Sequence, residues 1–128
     1  MKIFGVGADI VNINRIKKIV KKNSDFKKRI FTKNEIQLCE KKKNHYSCLA
    51  KRFAAKEAFS KALGTGISLG LNFNEIEVIN NKLGKPSFRI KGNSLEITRK
   101  RTKYKKISTF LSLSDEKQFA LATVIITN

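Results

Sequence analysis

The chain contains few of the residues that build metal clusters, cross-links or membrane spans. Its 128 residues include two cysteines, one histidine, one proline and no tryptophan. Cys39 and Cys48 form no paired motif, and His45 completes no zinc pattern with them. No apolar run is long enough to cross a membrane, and Asp9 interrupts the apolar N-terminus, which no small-residue cleavage site follows. We therefore expect a cytoplasmic protein with two reduced thiols, no signal peptide and no membrane segment.

Acidic side chains are also scarce. Ten Asp and Glu residues face 28 Lys and Arg residues, which gives a formal net charge of +18. A balance of this kind predicts a polyanionic partner, such as nucleic acid, an acidic protein or a phosphate-rich cofactor. The basic runs at residues 41–43 and 99–101 favour nucleic acid. Because no zinc-finger, RRM or KH pattern is present, and the phenylalanines follow core periodicity, a basic nucleic-acid-binding domain is the alternative rather than the main hypothesis.

The length and the hydrophobic periodicity predict one domain over residues 1–128. The predicted elements run in the order strand, three helices, two strands, helix and two strands. Their approximate positions are residues 2–9, a helix from residue 12, 32–42, 45–63, 72–80, 87–91, 94–104, 106–114 and 118–127. This order predicts an α+β fold with a mostly antiparallel sheet and helices packed on one face. The last strand is apolar on both faces, which predicts a central strand that is covered on both sides.

The stretch RFAAKEAFSKALGTG, residues 52–66, places a single carboxylate in the strongest helix of the chain. Glu57 lies on a stripe of small residues and is flanked by Arg52, Lys56 and Lys61. A surface pair between Glu57 and Lys61, worth about 0.3–0.5 kcal/mol, is a sufficient explanation for the helix taken alone.

Asp9 favours a functional explanation. It lies in an almost wholly apolar run, where a carboxylate is costly unless it is paired, hydrogen-bonded or bound to a metal. Helix capping is the structural alternative, but Asn12 is already available as a cap. Two carboxylates on separate elements, with oxygen ligands alone, are typical of Mg²⁺. The sequence therefore predicts Mg²⁺ ligation by Asp9 and Glu57.

Basic residues beside such a site would bind phosphate. Arg52, Lys56 and Lys61 are the candidates, and Lys61, in the last helical turn, is the strongest. Gly64 and Gly66 follow a helix instead of opening one, so the helix dipole opposes an anion there, and we interpret them as a cap and as room for a ligand. A carboxylate pair with Mg²⁺ and several cations is suited to phosphoryl transfer.

These residues resemble a known family. Gly5-Val-Gly-Ala-Asp-Ile10 with Arg15-Ile16, and Phe53–Lys61 with its Lys-Glu pair, are similar to the two signatures of holo-[acyl-carrier-protein] synthase, the small bacterial type of 4′-phosphopantetheinyl transferase. Gly64-Thr-Gly66, Leu83-Gly-Lys-Pro86 and the apolar C-terminal strand match further blocks of the family. The resemblance extends over essentially the whole chain.

The resemblance implies an activity. The family transfers 4′-phosphopantetheine from coenzyme A to a serine of apo-acyl carrier protein, requires Mg²⁺ and releases adenosine 3′,5′-bisphosphate. It supplies a step of fatty acid biosynthesis and is typically a homotrimer with sites between subunits. Asp9 and Glu57 would hold the metal, and the serine proton would pass to Glu57 or to a metal-bound water.

The resemblance also implies binding residues for coenzyme A and for the carrier protein. Coenzyme A would contact Arg52, Lys56, Lys61, Gly64, Gly84, Lys85, Pro86 and Ser112. The acidic carrier protein would dock on the first helix through Arg15, Lys18 and Lys22. At residue 115 many members carry histidine and this chain carries aspartate, so the role of Asp115 stays open.

Overall fold

The computed structural model describes residues 1–128 and contains five strands and five α-helices. The elements, in chain order, are β1 (Ile3–Asn12), α1 (Ile13–Lys22), α2 (Ser24–Ile30), α3 (Lys33–Glu40), α4 (His45–Leu63), a 3₁₀ turn (Phe73–Glu75), β2 (Ile76–Asn80), β3 (Pro86–Ile90), α5 (Gly92–Thr102), β4 (Ser108–Asp115) and β5 (Phe119–Thr127). The predicted α+β class is confirmed. None of the helices is both long enough and apolar enough to span a bilayer.

The helix boundaries follow from local capping. The Asn12 side chain accepts a hydrogen bond from the Arg15 backbone N–H, and Thr32 and Glu35 form the predicted capping box. Gly64 ends α4 in the left-handed conformation, with φ 82°. The sequence did not predict α2, a helix of only seven residues that the Asn23 side chain caps.

The strands form two sheets. The first is antiparallel with the order β1-β5-β4, and the second is the β2-β3 hairpin. The predicted central position of the last strand is confirmed. The prediction that both faces of this strand are buried is wrong for the single chain. Ala120 and Val124 on one face are fully buried, whereas Leu121 on the other face is 42% exposed. The helices thus cover one face of this sheet and leave the other open.

Helix α4 packs directly on β1 because both elements carry small residues where they meet. A Cβ atom on Gly5 would lie 1.9 Å from the Ala62 carbonyl oxygen, and one on Gly7 would lie 1.9 Å from that of Ala58. Only glycine permits this approach, as the sequence predicted. The close packing brings the C-terminal half of α4 against the segment of β1 that carries Asp9.

The cysteines correct another prediction. Cys39 at the end of α3 and Cys48 at the start of α4 form a disulfide, with Cα atoms 5.4 Å apart. The expectation of two reduced thiols is therefore wrong. No motif signals the pairing, because a turn of four residues between two helices brings the cysteines together across nine positions of sequence.

Candidate active site

Asp9 faces the helical layer from the middle of β1. Its antiparallel partner on β5 is Ala122, which is fully buried against the helices. Residues directly opposite each other in a sheet share a face, so the Asp9 side chain lies on the same covered face. The Lys61 ammonium donates hydrogen bonds to Asp9 Oδ1 at 3.0 Å and to the Ala8 carbonyl oxygen at 3.2 Å. The side chain of Asp9 is 16% exposed and that of Lys61 is 53% exposed.

Glu57 belongs to the same electrostatic cluster. Burial raises the pKa of the Glu57 carboxyl above its usual value, and repulsion by Asp9 raises that pKa further. Lys61 and Arg15 oppose the rise in pKa by attraction. The structure therefore brings Asp9, Glu57 and Lys61 together, as predicted from the sequence, and adds Arg15 from α1. Nowhere in the chain do three or more Asp, Glu, His or Cys side chains cluster as metal ligands, so the two carboxylates are alone.

A second feature is a basic cavity of about 720 Å³ between the start of α4 and the β2-β3 hairpin. Four lysines from three segments line it together with Arg52. These lysines are Lys42, Lys43, Lys51 and Lys82. The hairpin contributes Gly84 and Pro86, two of the predicted coenzyme A residues. The cavity therefore has the charge and the backbone access that a phosphorylated ligand requires.

Arg52 is held rigidly at the wall of this cavity. It is 4% exposed, and its Nη2 donates to Asn80 Oδ1 at 2.7 Å. Asn80 Nδ2 in turn donates to the Gly84 carbonyl oxygen at 3.0 Å, which joins Arg52 to the hairpin loop. Arg52 Nε is the only buried side-chain polar atom in the chain without a partner. Such an enclosed, unpaired atom costs free energy in the folded chain.

Asp115 lies at the rim of the cavity and is neutralised within the chain. It accepts a hydrogen bond from Ser47 Oγ and pairs with Lys51 Nζ at 3.3 Å. The Ser47 hydrogen bond is the main cause that lowers the pKa of Asp115, and Lys51 lowers it further. The carboxylate therefore stays charged but is balanced by Lys51, so it does not oppose an anion in the cavity as strongly as an isolated aspartate would.

Lys56 corrects a prediction. It is fully buried, and its ammonium donates to Glu35 Oε1 at 2.8 Å and to the carbonyl oxygens of Phe73 at 2.8 Å and Ile76 at 2.9 Å. All three hydrogen bonds of an ammonium are used, so Lys56 has none left for coenzyme A. Its role is to tie α4 to α3, to the 3₁₀ turn and to the start of β2.

Four other predicted coenzyme A residues lie outside the cavity, and one of them, Lys61, belongs to the cluster at Asp9. Gly64 is the α4 cap, and Arg101 Nε donates to the adjacent Leu63 carbonyl at 3.1 Å. Lys85 is exposed but does not line the cavity. Ser112 pairs with Thr123 on the open face of the sheet, opposite to the face of Asp9.

Sequence reasoning missed the lysines that line the cavity and the anchoring role of Asn80. The lysine run at residues 41–43 is evident in the sequence, but taken alone it favours a nucleic-acid-binding surface. Its place beside Arg52 depends on the turn between α3 and α4.

The predicted docking residues lie on one exposed surface. Arg15, Lys18 and Lys22 are all exposed on α1, whose buried side consists of Ile16 and Val20. None of these three basic side chains forms an ion pair with a carboxylate within 4.0 Å.

Comparison with known proteins agrees with the class that this site indicates. The model of the 4′-phosphopantetheinyl transferase superfamily matches residues 5–124. A holo-[acyl-carrier-protein] synthase from Pelagibacter ubique is 52% identical over 126 residues, which cover 98% of each chain. The chain belongs to the 4′-phosphopantetheinyl transferase superfamily.

Solved structures narrow the relationship to one branch of that family. The holo-[acyl-carrier-protein] synthase of Neisseria meningitidis is 39% identical, covers 99% of this chain and 100% of its own, and superposes with a TM-score of 0.83. The Bacillus anthracis enzyme, solved in complex with CoA (3′,5′-ADP), is 38% identical over 97% of this chain and 96% of its own, with a TM-score of 0.78. The predicted family is therefore confirmed, and it favours an enzyme over a nucleic-acid-binding domain.

Proposed function

We propose that this chain transfers 4′-phosphopantetheine from coenzyme A to a serine of apo-acyl carrier protein in the cytoplasm. The reaction forms a serine phosphodiester and releases adenosine 3′,5′-bisphosphate. The observation that carries this proposal is the cluster of Asp9, Glu57 and Lys61 at the contact of β1 with α4. It lies in a chain whose relatives at 41–52% identity are named holo-[acyl-carrier-protein] synthase.

The donor set suits one hard divalent cation such as Mg²⁺. Asp9 and Glu57 offer carboxylate oxygens without a competing Cys or His, and a cation between them would relieve the repulsion that raises the pKa of Glu57. Bound there, Mg²⁺ would neutralise the coenzyme A diphosphate and fix its orientation. Asp9 and Glu57 would be its protein ligands, which leaves positions for the diphosphate and water.

Groups at this site would also contact the diphosphate, accept the serine proton and connect the site to the docking surface. Lys61 would contact the diphosphate and offset the charge that develops on the leaving phosphate. The serine hydroxyl must lose a proton, and either Glu57 or a water held by the cation would accept it. Arg15, beside Glu57, connects this site to the α1 surface on which the acidic carrier protein would dock.

The basic cavity would hold the 3′-phosphate on the adenosine of coenzyme A. Arg52 and the surrounding lysines would supply the cations, and Gly84 and Pro86 leave the loop backbone open. Asp9, Glu57 and Lys61 do not line this cavity. Positions 52 and 57 lie about 140° apart around a helix, so the two features face different directions.

A homotrimer would reconcile the two features, with each site built from two subunits. The support is the open face of the β1-β5-β4 sheet, which lies outside the core and carries several large exposed apolar side chains. Its large side chains are Val6 at 64%, Ile10 at 63%, Phe110 at 47%, Phe119 at 39% and Leu121 at 42% exposure. Large exposed apolar side chains of this kind are typical of a subunit interface.

Mass spectrometry of apo-carrier protein incubated with this chain, coenzyme A and Mg²⁺ tests the proposal. We expect phosphopantetheine addition that EDTA abolishes. Asp9→Asn and Glu57→Gln should each lower turnover about a hundredfold or more while circular dichroism stays unchanged. Asp25→Asn, at an exposed acid on α2, is the matched control and should stay active. Absence of any adduct with the wild-type chain would refute the proposal.

A further inference from the structure

The ammonium of Lys61 already pairs with one oxygen of the carboxylate that the proposed metal site requires. It lies 3.0 Å from Asp9 Oδ1 and also bonds the Ala8 carbonyl oxygen. A divalent cation ligated by Asp9 would lie about 2.1 Å from a carboxylate oxygen. Lys61 and the divalent ion therefore compete for the same negative charge.

We propose that Lys61 is the resident counter-cation of Asp9 in the ligand-free protein, and that it leaves Asp9 for the coenzyme A diphosphate when a divalent cation binds. The inference rests on the proposed function, since it assumes the metal site at Asp9 and Glu57. It adds an exchange of partners for one lysine and a consequence for the order of binding.

The burial of the two partners determines which one moves. Asp9 is fixed on β1 and is 16% exposed, whereas Lys61 is 53% exposed in the last turn of α4. The lysine ammonium is carried on a flexible stem of four carbons, so it can change position without movement of the helix. Two cations on one carboxylate repel each other at short range, so entry of the divalent ion drives the ammonium away.

This exchange couples the two ligands. Release from Asp9 makes the Lys61 ammonium available to the diphosphate, so a bound cation should strengthen coenzyme A binding beyond the direct contact of the ion with phosphate. By thermodynamic linkage, coenzyme A then strengthens cation binding by the same factor. Without coenzyme A, however, Lys61 acts against the cation.

Mn²⁺ binding in the absence of coenzyme A, followed by the EPR signal of the free ion, tests the inference. Lys61→Met should tighten Mn²⁺ binding about two- to fivefold, which corresponds to the release of a half-exposed ion pair. Lys61→Arg should resemble the wild type, because a guanidinium can still pair with Asp9. Lys100→Met on α5 removes the same charge from an exposed residue without an ion pair, and controls for the net field.

The direction of the change makes this test specific. Damage to the fold would weaken Mn²⁺ binding, whereas loss of a competing cation tightens it. Unchanged or weaker binding in Lys61→Met, relative to Lys100→Met, overturns the inference. If Asp9→Asn and Glu57→Gln fail to abolish Mn²⁺ binding, the proposed metal site is wrong and this inference falls with it. If they abolish binding and Lys61→Met does not tighten it, only the inference is refuted.

Discussion

At the residue scale, the Lys56-Glu57 pair shows how far two sequence neighbours can differ in role. Consecutive residues point about 100° apart on a helix. Lys56 is fully buried with three acceptors, while Glu57 borders the charged cluster beside Asp9. The Lys-Glu motif therefore contains one structural cation, Lys56, and one candidate catalytic carboxylate, Glu57.

Lys56→Met should destabilise the protein without altering the cluster of Asp9, Glu57 and Lys61. Glu35 would remain buried with its charge unpaired, although it keeps the hydrogen bonds from the backbone N–H groups of Thr32 and Val78. Breaking a buried ion pair costs about 3–5 kcal/mol, which urea unfolding would measure. The double variant Lys56→Met/Glu35→Met should recover part of that loss. A free energy of unfolding equal to the wild-type value would show that the buried pair contributes nothing.

Glu57 should make stability depend on pH. Its pKa is raised in the folded state, so between the usual value of 4.5 and that raised value the folded protein binds more protons than the unfolded chain. The free energy of unfolding therefore falls as pH rises through this window. In metal-free buffer, Glu57→Gln should match the wild type at low pH and become the more stable protein above the window. Parallel stability curves for the two proteins would contradict the raised pKa.

At the element scale, the lysines of α1 have two different environments. Lys17 and Lys21 lie 5.4 and 5.8 Å from the Tyr46 ring centre, in cation–π geometry that packs α1 against α4. Lys18 and Lys22 are exposed and unpaired, which leaves them available to an acidic partner.

The double charge reversal Lys18→Glu/Lys22→Glu should raise the KM for acyl carrier protein about tenfold, because it replaces attraction by repulsion at the docking surface. The KM for coenzyme A should not change. Lys100→Glu/Lys105→Glu, which alters the same total charge on exposed residues elsewhere, is the control. An equal effect from the control pair would mean that overall charge, and not a docking helix, governs carrier binding.

At the scale of the whole molecule, two features support the proposed trimer. Cross-strand neighbours Val6, Ile125 and Phe110 share the open face of the sheet, while Gly7, Val124 and Leu111 share the covered face. The polar cluster at Asp9 and the basic cavity at Arg52 lie apart within one chain. The proposed association through the open face would account for both features.

Phe110→Glu should convert the proposed trimer into monomers, because a carboxylate in an apolar interface is left without a partner. Sedimentation velocity would measure the change, and turnover should fall at least about tenfold if each site needs two subunits. Ile67→Glu, at an apolar residue 67% exposed in the loop after α4, is the matched control and should stay trimeric. A wild-type chain that sediments as a monomer would refute the trimer.

The sequence alone determined the features that depend on local interactions. The capping box at Thr32, the end of α4 at Gly64 and the need for glycine at Gly5 and Gly7 each follow from neighbouring residues or from a single close contact. The family followed from the motifs around Asp9 and Glu57, and the comparisons confirm it.

Only the tertiary structure decided which charges meet. The Lys56–Glu35 pair spans 21 positions, Arg52–Asn80 spans 28 and Lys61–Asp9 spans 52. No periodicity in the sequence encodes such separations, since they depend on how α3, the β2-β3 hairpin and β1 pack around α4. The disulfide and the open face of the sheet were missed for the same reason: a residue's burial and partners are properties of the assembled layers and not of its own segment.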